Sequence, residues 1–172
     1  MPQLDRATVD SLWEDPELHA FMLLDGAACP ELLDHLYGEA PPEFECLYRG
    51  VQDDDMLEVA PYIARLEAGT PFCEWALSGW GEHWGIVVLA PTAFRETRLH
   101  FRKLNVVTGP DNNPLLFRYY DPRVLRIVAP TCDAAQLARL FGPVRRFVLE
   151  DDGPGRSIAL ELADGTLVQQ QR

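Results

Sequence analysis

Three arginines, Arg95, Arg98 and Arg102, recur at three- and four-residue steps, and Arg118 and Arg123 follow on either side of Tyr120 and Asp121. A guanidinium presents a planar fork of donors that grips carboxylates or backbone carbonyls, so a row of them at helical spacing suits the docking of another protein. Arg118 and Arg123 carry the same chemistry, and Tyr120 adds an aromatic body with a polar tip. Either arginine can equally pair with an aspartate inside the fold, Asp121 and Asp25 being the carboxylates at hand. Acid–base catalysis would need other company. The histidines at 19, 35, 83 and 100 form no H-E-x-x-H pair, Ala76-Leu77-Ser78-Gly79-Trp80 lacks the first glycine of a nucleophile elbow, and no Walker loop occurs. A hydrolase would have to bring Asp25, His100 and Asp121 into one open pocket with no motif behind them. Gly79-Trp80-Gly81 starts like a dinucleotide loop but has Trp84 where the third glycine belongs. Neither a catalytic residue nor a cofactor is expected. Cys29, Cys46, Cys73 and Cys132 are irregularly spaced with no C-x-x-C, which predicts reduced thiols and no metal site.

The elements that must position these groups can be read from pattern. A 100° step per residue over 92–103 puts Phe94, Thr97 and Phe101 on one helix face and the three arginines on an adjoining stripe. Long arginine stems also cover apolar surface on ordinary solvated faces, so the stripe has a bland reading beside the docking one. Leu115–Tyr120 reads as a strand with Leu116, Arg118 and Tyr120 on one face, running directly into a helix. Asp121 suits the N-cap of that helix and Pro122 its first position. Asp25-Gly26 is turn chemistry closing the apolar run Ala20–Leu24, which makes Asp25 structural too.

Elsewhere, short helices are expected over 7–13, after Pro30 with Leu32, Leu33 and Leu36 inward, after Asp53, over 72–77 and over 133–140. Strands are expected at 46–48, 62–66, 86–90 and 104–107. Residues 146–149, 158–162 and 166–168, separated by Asp-Gly turns, suit an antiparallel meander. Trp80 and Trp84 are expected among core aromatics. The fold class is α/β: a mixed β-sheet with flanking helices and a short C-terminal meander. Residues 1–130 form the core domain, and 131–172 a helix plus small β extension packed on it.

The chain has 172 residues, of which 47% are hydrophobic, enough for a sizeable core, and a formal net charge of -12. Residues 95–126 nevertheless hold seven cationic against three acidic side chains, so charge is segregated along the chain. The acidic total argues against a nucleic-acid binder. No apolar run is long enough for a membrane span and the N-terminus lacks signal-peptide order, so no membrane association and a cytoplasmic location are expected.

Four ordered segments carry a resemblance: Phe21-Met22-Leu23-Leu24-Asp25-Gly26-Ala27, Ala60-Pro61-Tyr62, His100-Phe101-Arg102 and Phe117-Arg118-Tyr119-Tyr120-Asp121-Pro122-Arg123-Val124-Leu125. Together they resemble the effector-adaptor (chaperone) family of bacterial type VI secretion, the Tap/TEC type, whose pattern runs Leu-Asp-Gly-Ala, Ala-Pro-Tyr, His-Leu-Arg and Phe-Arg-(Phe/Tyr)-Tyr-Asp-Pro-Arg-Val-Leu. Phe101 departs from the commoner leucine, and many relatives continue into a longer variable lobe. The resemblance implies a non-enzymatic protein that holds a toxic effector, through its N-terminal region, and helps load it onto the VgrG spike protein. On that reading Arg95, Arg98, Arg102, Arg118, Tyr120 and Arg123 are the partner-binding candidates. The alternative is an acidic immunity-type protein that neutralises a toxin.

Overall fold

The computed structural model describes residues 4–172. Its elements in chain order are α1 (Arg6–Ser11), β1 (His19–Asp25), α2 (Leu32–Leu36), β2 (Phe44–Cys46), α3 (Asp54–Val59), β3 (Pro61–Leu66), α4 (Pro71–Ser78), β4 (Gly85–Ala90), α5 (Phe94–Leu104), β5 (Val106–Thr108), β6 (Pro114–Leu116), α6 (Pro122–Val128), a 3-10 turn (Ala129–Thr131), α7 (Ala134–Phe141), β7 (Arg146–Glu150), β8 (Ser157–Ala163) and β9 (Thr166–Gln171). Seven strands form one sheet in the order β2-β3-β1-β4-β7-β8-β9, while β5 and β6 pair apart from it. The architecture is α/β with flanking helices and a C-terminal meander, as expected. Every pairing in the sheet is antiparallel, a narrower arrangement than the mixed sheet anticipated from the sequence.

The apolar run of β1 has no polar alternation because neither of its faces meets water. Phe21 and Leu23 point into a core with Phe94, Phe101, Leu125, Leu140 and Phe147, whereas Ala20, Met22 and Leu24 point into another with Leu12, Leu32, Phe72 and Trp80. Side chains alternate across the sheet, so helices α5, α6 and α7 cover one face and α1, α2 and α4 the other. Each large side chain so buried contributes about 1.5–3 kcal/mol. Phe94, Thr97, Phe101 and Leu104 form the buried stripe of α5. Trp80 lies in the second core with its indole N–H donated to the Arg156 carbonyl, and the Trp84 ring lies against Gly79. Strand β7 pairs with β4, so the C-terminal meander continues the sheet of the preceding residues.

Three expectations fail locally. Residues 115–120 are not one strand: β6 ends at Leu116, and Phe117–Tyr120 form a turn in which the Phe117 N–H donates to the Asn105 carbonyl and the Asp121 N–H to that of Arg118. Tyr119 and Tyr120 are consecutive yet both enter the same core, whereas a strand would send them to opposite faces. Aromatic burial in the first core outweighs strand propensity where no neighbouring strand is present to extend the pairing. In addition, β2 lies two residues before the expected 46–48 strand, and β5 begins after α5 has taken Leu104.

Gly85 begins β4 opposite Leu24, and a Cβ there would lie 1.9 Å from the Leu23 carbonyl oxygen. Gly85→Ala is therefore expected to force the central strands apart and lower unfolding free energy by about 1–3 kcal/mol or more. Urea denaturation checks this as a lowered midpoint at unchanged slope.

Candidate functional site

The four sequence segments meet at the end of β1. Asp25 closes that strand, its N–H donated to the Trp84 carbonyl at 2.8 Å, and its carboxylate accepts from the Ala27 N–H at 3.1 Å and pairs with Arg118. The next residue, Gly26, donates its N–H to the Ala60 carbonyl at 3.0 Å. A Cβ on Gly26 would stand 2.5 Å from that oxygen and 2.7 Å from the Glu58 carbonyl oxygen, so only glycine permits this approach. Pro61, following Ala60, accepts from the Leu47 N–H at 2.8 Å.

Helix α5 fastens to the same loop from the other side. The Arg102 Nη2 donates to the carbonyls of Cys46 and Tyr48 at 3.0 and 3.1 Å, and Asn105 Nδ2 donates to that of Leu47 at 2.7 Å. Tyr119 completes the joint: its hydroxyl donates to the Phe101 carbonyl at 2.8 Å and lies 3.0 Å from Asn105 Oδ1, while its ring stacks on Phe101. Tyr120 is 2% exposed, and burial, together with Tyr48, pushes its hydroxyl pKa up.

Asp121 caps α6 by accepting from the Arg123 N–H at 2.9 Å, with Pro122 in the first turn. The Arg123 guanidinium grips the same carboxylate in a fork, Nε to Oδ1 at 3.0 Å and Nη2 to Oδ2 at 2.8 Å, and Arg118 lies 4.0 Å from Oδ2. Both carboxylates are sealed, with side chains 2% and 4% exposed, while Arg118 and Arg123 are about half exposed and reach in from the surface. Burial alone pushes the Asp121 carboxyl up, but the hydrogen bonds and charge of Arg123, with the charge of Arg118, outweigh it and hold the pKa below the usual carboxylate value. The hydrogen bond that Arg118 donates to Asp25 likewise holds its guanidinium above its ordinary pKa.

The arginine stripe of α5 is divided in its duties. Arg95 is exposed, Arg98 pairs with Glu45 of β2 at 3.0 Å, and Arg102 holds the Cys46–Tyr48 backbone. Arg118, Arg123 and Tyr120, expected to meet a partner, thus have internal engagements, as do Arg98 and Arg102. The residues a hydrolase would need are not assembled: His100 lies against α7, its Nε2 2.9 Å from the Leu140 carbonyl and its ring against Gly142. Burial lowers its pKa. Burial, then the Asp25 charge, pushes the Cys29 thiol up to about 12, leaving it protonated. Among the described residues, no group of three or more His, Cys, Asp or Glu could hold a metal ion, and no helix is long and apolar enough to cross a membrane.

Sequence reading missed Asn105 and Glu45. Asn105 follows the last periodic residue of α5, and Glu45 sits in a strand three residues long, so neither lies in a pattern that marks it. Among comparisons with known proteins, the model of the family described as Domain of unknown function (DUF4123) matches residues 20–139. No curated protein and no solved structure matches the chain.

Asn replaces Asp well as an N-cap, so Asp121→Asn keeps the cap and removes the charge that Arg123 and Arg118 hold. The depressed pKa means that this charge contributes stability fully above about pH 4, the ordinary carboxylate value, and loses it as pH falls through the depressed one. The variant is expected to be less stable by about 1–2 kcal/mol at pH 7, with the gap closing toward pH 2. Urea titrations at both pH values measure it, and a gap independent of pH would contradict the charge pairing.

Proposed function

This chain belongs to the DUF4123 family, and we propose on that basis that it is a non-catalytic adaptor of type VI secretion, which holds a toxic effector and helps load it onto a VgrG spike protein. The family match over 20–139 and the resemblance to effector adaptors rest on the same residues, since all four motif segments fall within that span. The observation that carries the reading is the engagement of the motif's polar groups. Asp25, Arg118, Asp121, Arg123, Tyr119 and Arg102 bind one another or the backbone, which supports a scaffold that fixes surface segments over a site that turns over substrate. Action in the cytoplasm, before export, belongs to the same proposal.

The formal charge of -12 favours a second reading, an immunity-type protein that neutralises a basic toxin. Co-expression separates the two. The chain is expected to co-elute in size-exclusion chromatography with a cognate effector, its spike or both, and to leave the effector's toxicity intact in cells. Loss of toxicity would favour the immunity reading, and absence of co-elution with either folded partner would remove the adaptor reading.

A further inference from the structure

Between the 47–51 loop, the last turn of α5 and the β5–β6 hairpin lies a recess of about 310 Å³. Arg49, Arg102 and Lys103 line it and no carboxylate does. In a chain of formal charge -12 this is a local inversion of sign, which concentrates an oppositely charged group at its mouth. Arg49 and Lys103 are exposed, and neither forms an ion pair with any described residue. Arg102 is oriented in advance: its Nη2 is fixed on two carbonyls, its Nε is buried without a partner, and Nη1 has no bond within the described chain. A cation already immobilised loses little freedom when it binds.

The rim of the recess is apolar. Val106 and Leu116 are directly opposed across the β5–β6 ladder and are 52% and 57% exposed. Their hairpin lies outside the seven-stranded sheet, and the pair presents an unburied apolar step beside the three cations. Nucleic acid needs a longer cationic track than three residues on an acidic chain. A polypeptide carrying carboxylates beside an apolar side chain matches both halves.

We propose that this recess docks an acidic segment of a protein partner, its carboxylates on Arg49, Lys103 and Arg102 and an adjoining leucine-like side chain on Val106 and Leu116. The proposal rests on the adaptor reading for which protein supplies the segment, but the recess can be tested without it. It moves the cationic docking function from the helical row at 95, 98 and 102 to a cluster built from two segments far apart in sequence.

A fluorescein-labelled peptide alternating leucine with pairs of glutamate serves as the probe in fluorescence polarisation. It is expected to bind the wild type, with affinity falling as ionic strength rises from ~0.05 to ~0.15 M. The double variant Arg49→Glu/Lys103→Glu is expected to bind at least about tenfold more weakly with its melting temperature preserved, and Leu116→Ser several-fold more weakly. Arg95→Glu, outside the recess, should remain within about twofold of wild type. The proposal is overturned by wild-type affinity in the folded double variant, by equal binding of the peptide with lysine in place of glutamate, or by tighter binding to single-stranded DNA or to anionic vesicles. Co-elution with effector and spike then separates the two readings. Equal capture by wild type and double variant would sink the recess and spare the adaptor, whereas peptide binding without capture of either partner would do the reverse.

Discussion

The Asp25 carboxylate, 2% exposed at the end of β1, is the constraint on which much of the rest depends. A buried carboxylate without a partner is costly, and here the partner comes from a turn 93 residues later. The pairing of Arg118 with Asp25 places the Phe117–Tyr120 turn over the end of β1. It also sets where α6 can start, since Asp121 both caps that helix and lies beside Arg118. One ion pair thus ties the sheet to the helical layer that covers it.

Around that tie the backbone is held by close approaches and hydrogen bonds. Gly26 brings the residue after β1 against Ala60, Pro61 receives the Leu47 N–H, and Arg102 with Asn105 holds the carbonyls of Cys46, Leu47 and Tyr48. These bonds satisfy carbonyls and N–H groups at the ends of β1, β2 and β3 and in the loop after β2, where regular ladder pairing stops. The same geometry gives Arg102 two duties, since the guanidinium that supports the loop also lines a recess open to solvent.

The distribution of chemistry suits a protein that presents surfaces. Burial against α7 lowers the pKa of His100, and the thiol beside Asp25 is held protonated. Among the groups left with unfilled capacity are cations and apolar side chains on a loop, a helix end and a hairpin, next to the joint that positions them.

Features that depend on local pattern were legible along the chain. The unbroken apolar runs of β1 and β4 marked strands, the 3.6-residue period marked the buried stripe of α5, and Asp-Pro marked the start of α6. Spaced turn signals marked the meander, and four ordered motifs marked the family. Tertiary structure alone decided the side-chain partners and the form of the 115–120 segment. The arginine row on α5 was legible as a row, but what each arginine touches depends on β2, which a helical wheel does not contain: Arg98 meets Glu45, Arg102 meets two carbonyls, and Arg95 meets neither. Tyr119 and Tyr120 escaped the two-residue period because their rings and hydroxyls were claimed by Phe101, Asn105 and Tyr48 from distant parts of the chain. Local periodicity records which face of an element is apolar, whereas ion pairs and recesses arise where separate elements cross, and the chain's sequence order does not reveal those crossings.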